Sequence, residues 1–169
     1  LKGISYEQLI DWVRPDDGAF RVVTGDFVTT EDGTGIVHIA PTFGADDYKV
    51  GKDNGIPPLL VTRKDGTTGP LVDKRGFMVP VADLDEEFVR ARVNRVTYGD
   101  YEGRPVKNEF GTDLAADAPT LDVDIAVMLK QQGKVFRIEK HVHSYPHCWR
   151  TDKPVLYYPL DSWFIRTTA

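Results

Sequence analysis

Residues 35–51 read GIVHIAPTFGADDYKVG, and three local signals follow one another within them. Ile36, Val37 and Ile39 surround a single histidine, His38, as a strand would. Pro41-Thr42-Phe43-Gly44 interrupts that strand and forms a bend. Asp46 and Asp47 then fall where the positive end of a helix dipole favours carboxylates, and Gly55 is placed to stop the helix as a left-handed cap. The spacing predicts a strand, a bend and a helix over 45–54.

Working outward from this unit, residues 19–42 alternate with period two. Phe20, Val22, Phe27 and Val28 precede Thr29-Thr30-Glu31-Asp32-Gly33, and Ile36, Val37, Ile39 and Ala40 follow. That pattern predicts two strands joined by a hairpin with Asp-Gly turn chemistry. Downstream, Pro57-Pro58 ends any helix. Residues 63–77 carry Asp65-Gly66, Gly69-Pro70 and Arg75-Gly76 and read as strand and turn. Residues 83–95 place Leu84, Phe88, Val89 and Val93 on one helical face. Residues 99–119, rich in Gly, Pro and Asp, read as connection or hairpin. A helix is predicted over 120–132 from Leu121, Ile125, Met128 and Leu129, with Thr120 as N-cap and Gly133 as C-cap. Strands are expected at 135–141 and 155–158. Strands outnumber helices in this order, so the expected fold is α+β and β-rich, a barrel-like domain with peripheral helices instead of a doubly wound parallel sheet.

The chain has 169 residues, 41% apolar and 28% charged, which fits one domain with an ordinary core. A net charge of −5 argues against binding nucleic acid by bulk phosphate neutralisation, and it is compatible with a local basic stripe. Cys148 is the one cysteine, so there is no disulfide framework, and a reducing, cytoplasmic setting is the expectation. No apolar run approaches the roughly 18 to 20 residues of a membrane helix, and Leu1-Lys2-Gly3 does not begin a signal peptide. The first residue is not Met, which suggests a piece of a longer protein.

Each candidate site residue has an ordinary structural explanation beside the chemical one. Asp46 and Asp47 are accounted for as helix-start carboxylates. Chemically, one of them caps the helix while the other points across the bend toward a ligand cation. A carboxylate held by helix amides stays ionised at neutral pH, which suits it to bind an ammonium group and makes it a poor general acid. His38 is accounted for as a packed strand residue, yet its ring can also wall a small pocket by shape. The run His141-Val142-His143-Ser144-Tyr145-Pro146-His147-Cys148-Trp149-Arg150 resembles a metal corner. No second C-x-x-C accompanies it, and Thr151 stands where a zinc knuckle would have its partner thiolate. There is no phosphate-binding glycine loop and no nucleophile elbow. If the domain is a hydrolase, water is the expected nucleophile.

Gly33-Thr34-Gly35-Ile36-Val37-His38, then Ala40-Pro41, then Gly44-Ala45-Asp46-Asp47-Tyr48 with Gly51 and Gly55, resembles the editing domain of class I aminoacyl-tRNA synthetases for branched aliphatic amino acids. His at position 38 is the isoleucyl type; the valyl type typically has Lys there. His143-Ser144-Tyr145-Pro146-His147-Cys148-Trp149-Arg150, with Pro154 and Trp163-Phe164, is similar to the isoleucyl enzyme's return toward its synthetic core. Both ends of the chain therefore carry the resemblance, and residues 63–118 are the least diagnostic.

The resemblance implies an editing insertion, residues 1–169 being part of one domain and about 141–169 its return strands. Its activity would be hydrolysis of valine wrongly esterified to isoleucine tRNA. One missing methylene is worth only about 1 to 3 kcal/mol in a binding pocket, a limit for which the isoleucyl enzyme is itself the worked case, so a second sieve is needed. The implied substrate site comprises His38, Asp46, Asp47 and Tyr48. Asp47 is the catalytic position that holds the aminoacyl ammonium, and His38 lines the side-chain pocket. Water attacks the ester with help from the terminal adenosine's hydroxyl. No metal or cofactor is implied for this domain, ATP and magnesium belonging to a synthetic core whose signatures are absent here. The implied partners are the 3′ end of isoleucine tRNA carrying valine and the rest of the synthetase chain, with no membrane. The family's threonine-rich strand is not matched by Thr29-Thr30 or Thr67-Thr68, so the chain is expected to hold part of the site. Two other readings stay open, a valyl-type domain that clears threonine and a non-catalytic binding or scaffold module.

Overall fold

Tyr98 and Trp12 organise the core. The side chains of Tyr98, Leu84, Val13 and Val61 are fully buried, and such residues each contribute about 1.5 to 3 kcal/mol on leaving water. Around them pack Trp12, Met78, Val79, Val89, Tyr101 and Leu121. The Trp12 ring lies 4.5 Å from that of Tyr101 and 5.7 Å from that of Tyr98. Tyr98 buries its hydroxyl by donating to the Val79 carbonyl at 2.6 Å, and burial pushes its phenol well above the usual tyrosine range.

These relationships come from a computed structural model that describes residues 1–31, 34–111, 114, 118–140, 142–160, 162, 163, 165 and 167. The elements in chain order are α1 (Ala45–Asn54), β1 (Val61–Thr62), β2 (Thr68–Gly69), α2 (Glu86–Arg92), α3 (Arg95–Tyr98) and α4 (Leu121–Gln131), with 3-10 turns at Val81–Asp83 and Asn108–Phe110. β1 and β2 are antiparallel, Val61 opposite Gly69 and Thr62 opposite Thr68, around the Asp65-Gly66 turn, where Gly66 has φ 81°.

Several expectations hold. α1 has the predicted bounds and ends on Gly55 at φ 62°, ψ 36°. The 83–95 stretch buries Leu84 and Val89, with Phe88 and Val93 packed against the core. It divides at Val93-Asn94 into two helices: Asp85 caps α2 through the Phe88 amide, and Asn94 caps α3 through those of Val96 and Thr97. α4 turns Leu121, Ile125 and Met128 to the core. Thr120 is its N-cap residue without a side-chain hydrogen bond, and Gln132 ends it one residue before left-handed Gly133.

Other expectations are corrected. Among the described residues there is one two-stranded sheet and no closed barrel, so a β-rich barrel is not what they form. Residues 20–22 do not pair with 36–40. Tyr6 donates to the Phe20 carbonyl, Val22 to that of Ile4, and Gly3 to that of Val22, so the partner is the segment at 3–6. Alternation identified an extended segment but carried no information about its neighbour. The Asp32-Gly33 turn lies outside the described residues. Residues 135–140 form no strand, and 142–160 are tied by one bridge, His147 opposite Pro154. No helix among the described residues is long and apolar enough to cross a membrane.

Candidate functional site

The bend at Ala40 is closed by the Phe43 amide, which donates to the Ala40 carbonyl at 3.0 Å, and α1 begins as the Tyr48 amide donates to Gly44 at 2.8 Å. Gly51 presses the helix onto the bend. A Cβ there would come within 2.9 Å of both Cβ and Cγ of Pro41, a distance only glycine allows. The Thr42 hydroxyl donates to the Leu59 carbonyl at 3.3 Å, and the Arg21 guanidinium donates to the carbonyl of Asn54 at the far end of α1. The strand end and the helix start are thereby held as one unit.

Within that unit the Asp47 carboxylate turns back across the bend. Its Oδ2 accepts the Ala40 amide at 3.1 Å, in a half-buried position. Gly44 leaves the space for it, since a Cβ at residue 44 would sit 2.9 Å from Oδ2. Asp46 and Tyr48 point outward and are exposed. The division of labour between the two aspartates differs from the expectation. Gly44 is the N-cap residue, no side chain caps α1, and Asp46 acts on the helix only through its charge in the first turn.

His38 lies on the wall of an apolar cavity of about 840 Å³, together with Phe20, Val22, Phe27, Ile36 and Leu59. Asp46, Asp47 and Tyr48 are not on that wall. Asp47 is linked to it through Ala40, which lines the cavity and donates its amide to the carboxylate. The structure therefore brings His38 and the amide anchor of Asp47 to one wall, while Asp46 and Tyr48 stand apart from it. A residue that the motif reading passed over is Arg21. It lines the same cavity, and its Nε is buried with no hydrogen-bond partner among the described residues. The available signal was a single cation inside the apolar alternation of 20–23.

At the other motif, His147 Nδ1 lies 2.9 Å from the Tyr145 carbonyl and His143 Nδ1 lies 2.9 Å from that of Ser144. The Thr151 hydroxyl, followed by the amides of Arg150 and Thr151, hydrogen-bonds the Cys148 thiol and holds it below its usual range. Among the described residues no three His, Cys, Asp or Glu side chains are grouped to hold a metal; His141 lies outside them. Chemically, the bend offers a carboxylate anchored at one oxygen beside an apolar cavity whose lining includes the exposed residue His38. That arrangement can bind a small cationic, apolar group.

The chain is 62% identical over 169 residues, all of its own length and 15% of the relative's, to the isoleucine–tRNA ligase of Porphyromonas gingivalis. It is 60% identical over the same span to that of Bacteroides fragilis. It is 41% identical, over 13% of the relative, to that of Thermoplasma volcanium. No protein-family profile matches the chain. The chain thus spans about 15% of the length of the first curated relatives it matches.

Proposed function

We propose that this chain, which is similar along its whole length to one segment of isoleucine–tRNA ligases, is the editing domain that hydrolyses valyl-tRNA made on isoleucine tRNA. The observation that carries the reading is the carboxylate of Asp47, fixed across the bend by the Ala40 amide at 3.1 Å beside the cavity walled by His38. An aspartate held at one oxygen keeps the other for the aminoacyl ammonium, and the cavity takes the side chain. His38 limits that side chain by bulk. Asp46 and Tyr48, beside Asp47 in the first turn of α1 and outside the cavity wall, would complete the substrate-binding set from the solvent side. Water is the nucleophile, and no cofactor is required for ester hydrolysis of this kind. ATP and magnesium would serve the ligase reaction elsewhere in the longer protein. The barrel-like architecture implied by the resemblance would be completed by segments that pair with the exposed stretch at Ile36 and Val37. The protein acts in the cytoplasm with isoleucine tRNA and the remaining synthetase as partners.

The test is deacylation by the full-length protein that carries this segment, with valyl-tRNA(Ile) and threonyl-tRNA(Val) as competing substrates. Release of valine from the first and not of threonine from the second supports the reading. The reverse preference assigns a valyl-type domain, and hydrolysis of neither leaves a scaffold.

A further inference from the structure

Helix α1 carries Asp47 and has little apolar surface to hold it. Of its ten residues Gly51 alone is buried, and Tyr48, Lys49, Lys52 and Asp53 are exposed. A helix without a buried apolar stripe takes its orientation from ties at particular points along it. One is the Asp47 anchor on the Ala40 amide at the first turn, and a second is the close approach of Gly51 to Pro41. These alone would let the last turn swing. A third tie acts there: Nη2 of Arg21 donates to the carbonyl of Asn54, at the end of the helix where carbonyls lack partners and the dipole favours a cation. Arg21 is itself held on both sides, since Tyr6 donates to the Phe20 carbonyl at 2.8 Å and Val22 to that of Ile4 at 2.8 Å, with Ser5 opposite Arg21. Gly18 adjoins the same helix end, for a Cβ there would meet the Gly55 carbonyl oxygen at 3.7 Å.

We propose that Arg21 is a positioning residue for Asp47: it fixes the last turn of α1 to the cavity that Arg21 and His38 both line, and so sets where the carboxylate stands. It acts through the helix, about 10 Å from Asp47 at 1.5 Å per residue. Gly51 lies between the two ends, four residues from Asp47 and three from Asn54. A helix that pivots on Pro41 therefore turns a shift at its last turn into one of similar size at its first. This rests on the functional reading above, which makes Asp47 the ammonium anchor.

The experiment measures valyl-tRNA(Ile) deacylation by the full-length protein carrying Arg21→Met, which keeps an apolar stem along the cavity and loses the donor, or Arg21→Lys, which keeps a cation for the carbonyl. Arg21→Met is expected to lower kcat/KM about 10- to 100-fold, the scale of a misplacement near 1 Å, and Arg21→Lys to retain most of the activity. In an Asp47→Ala background the same Arg21→Met change is expected to alter deacylation by less than about twofold, because a residue that acts through Asp47 has nothing left to position. Hydrogen exchange of the segment from His38 to Phe43 should quicken in Arg21→Met, as the Ala40 amide loses its acceptor. Losses that multiply in the double variant overturn the proposal, since Arg21 then acts on the substrate or on the fold at large. Should Arg21→Met fail to fold, Arg21→Gln, whose shorter neutral side chain withdraws from the Asn54 carbonyl, carries the same expectations. Normal deacylation in the folded Met or Gln variant beside an active wild type rejects Arg21 and keeps the functional reading. Absence of wild-type deacylation rejects that reading, and the exchange of His38 to Phe43 then decides by itself whether Arg21 positions Asp47.

Discussion

The carboxylate of Asp47 accepts the backbone amide of Ala40 at 3.1 Å, seven residues back along the chain. That single bond ties the first turn of α1 to the end of the segment bearing His38, so helix start and cavity wall move together. Hydrogen bonds to charged acceptors contribute about 1.5 to 3 kcal/mol, and partial exposure here favours the lower figure. The bond also fixes which oxygen is occupied, Oδ2, leaving Oδ1 without a hydrogen bond among the described residues.

Gly44→Ala tests that arrangement without touching the carboxylate. The backbone at Gly44, φ −119° and ψ 143°, suits any residue, so a side chain there brings no backbone strain. The added Cβ would meet Asp47 Oδ2 at 2.9 Å and Cγ at 3.0 Å, which pushes the carboxylate from the Ala40 amide. Deacylation of valyl-tRNA is expected to fall about tenfold or more, while the melting temperature falls by roughly 2 to 4 °C, as for the loss of one hydrogen bond worth about 1 kcal/mol. Normal turnover in a folded Gly44→Ala protein would show that the carboxylate's position is irrelevant.

Charge and anchoring at Asp47 separate in two variants. Asp47→Asn keeps an acceptor for the Ala40 amide and loses the negative charge; Asp47→Ala loses both. If the charge pairs with the substrate ammonium, both variants lose deacylation by about 100-fold, matching a lost charge-assisted bond of up to about 3 kcal/mol. Only Asp47→Ala should also lose stability, about 1 kcal/mol in urea unfolding. Substantial activity in Asp47→Asn would sink the ammonium role.

How much of this was legible depended on whether the signal was local. α1 and its left-handed Gly55 cap were readable because dipole and capping rules act within one turn. The apolar face of Leu84 and Val89 was readable from helical spacing. The partner of Phe20 and Val22 was not, because alternation marks an extended segment and leaves its neighbour open; the backbone of Ile4 and Tyr6 fills that role. Nor could spacing show that Asp47 would reach Ala40 while Asp46 stays in water, since both occupy the first turn of α1. The core around Tyr98 lay in the stretch that was least diagnostic of function. Packing there requires volume and apolarity, which many residue combinations supply.

His38→Ala asks whether the imidazole limits the side chain admitted. His38 lines the cavity and is exposed, and if its ring faces the substrate its removal enlarges the space by more than the one methylene that separates isoleucine from valine. Isoleucyl-tRNA(Ile) is therefore expected to become a substrate, with its deacylation rising roughly 10- to 100-fold, the range that one methylene commands in a pocket. Rates for valyl-tRNA should change less. Full protection of the cognate ester in His38→Ala would mean that another part of the wall does the sieving.

Alkaline pH tests the core independently of the site. The fully buried Tyr98 hydroxyl donates to the Val79 carbonyl at 2.6 Å, and burial, with a smaller contribution from Glu102, raises its phenol above the usual value of 10.0. A group whose pKa is raised in the folded state contributes stability that is intact below the unfolded value and is lost as pH climbs toward the folded one. Stability should therefore hold up to about pH 10 and decline beyond it. Of the seven tyrosines, Tyr98 should ionise only as the protein unfolds, a late step in absorbance at 295 nm. Tyr98→Phe should cost about 1 to 2 kcal/mol at neutral pH, because it leaves a buried carbonyl unpaired, and should make the alkaline decline shallower. If Tyr98 ionised near pH 10 with the fold intact, this account of the core would be wrong.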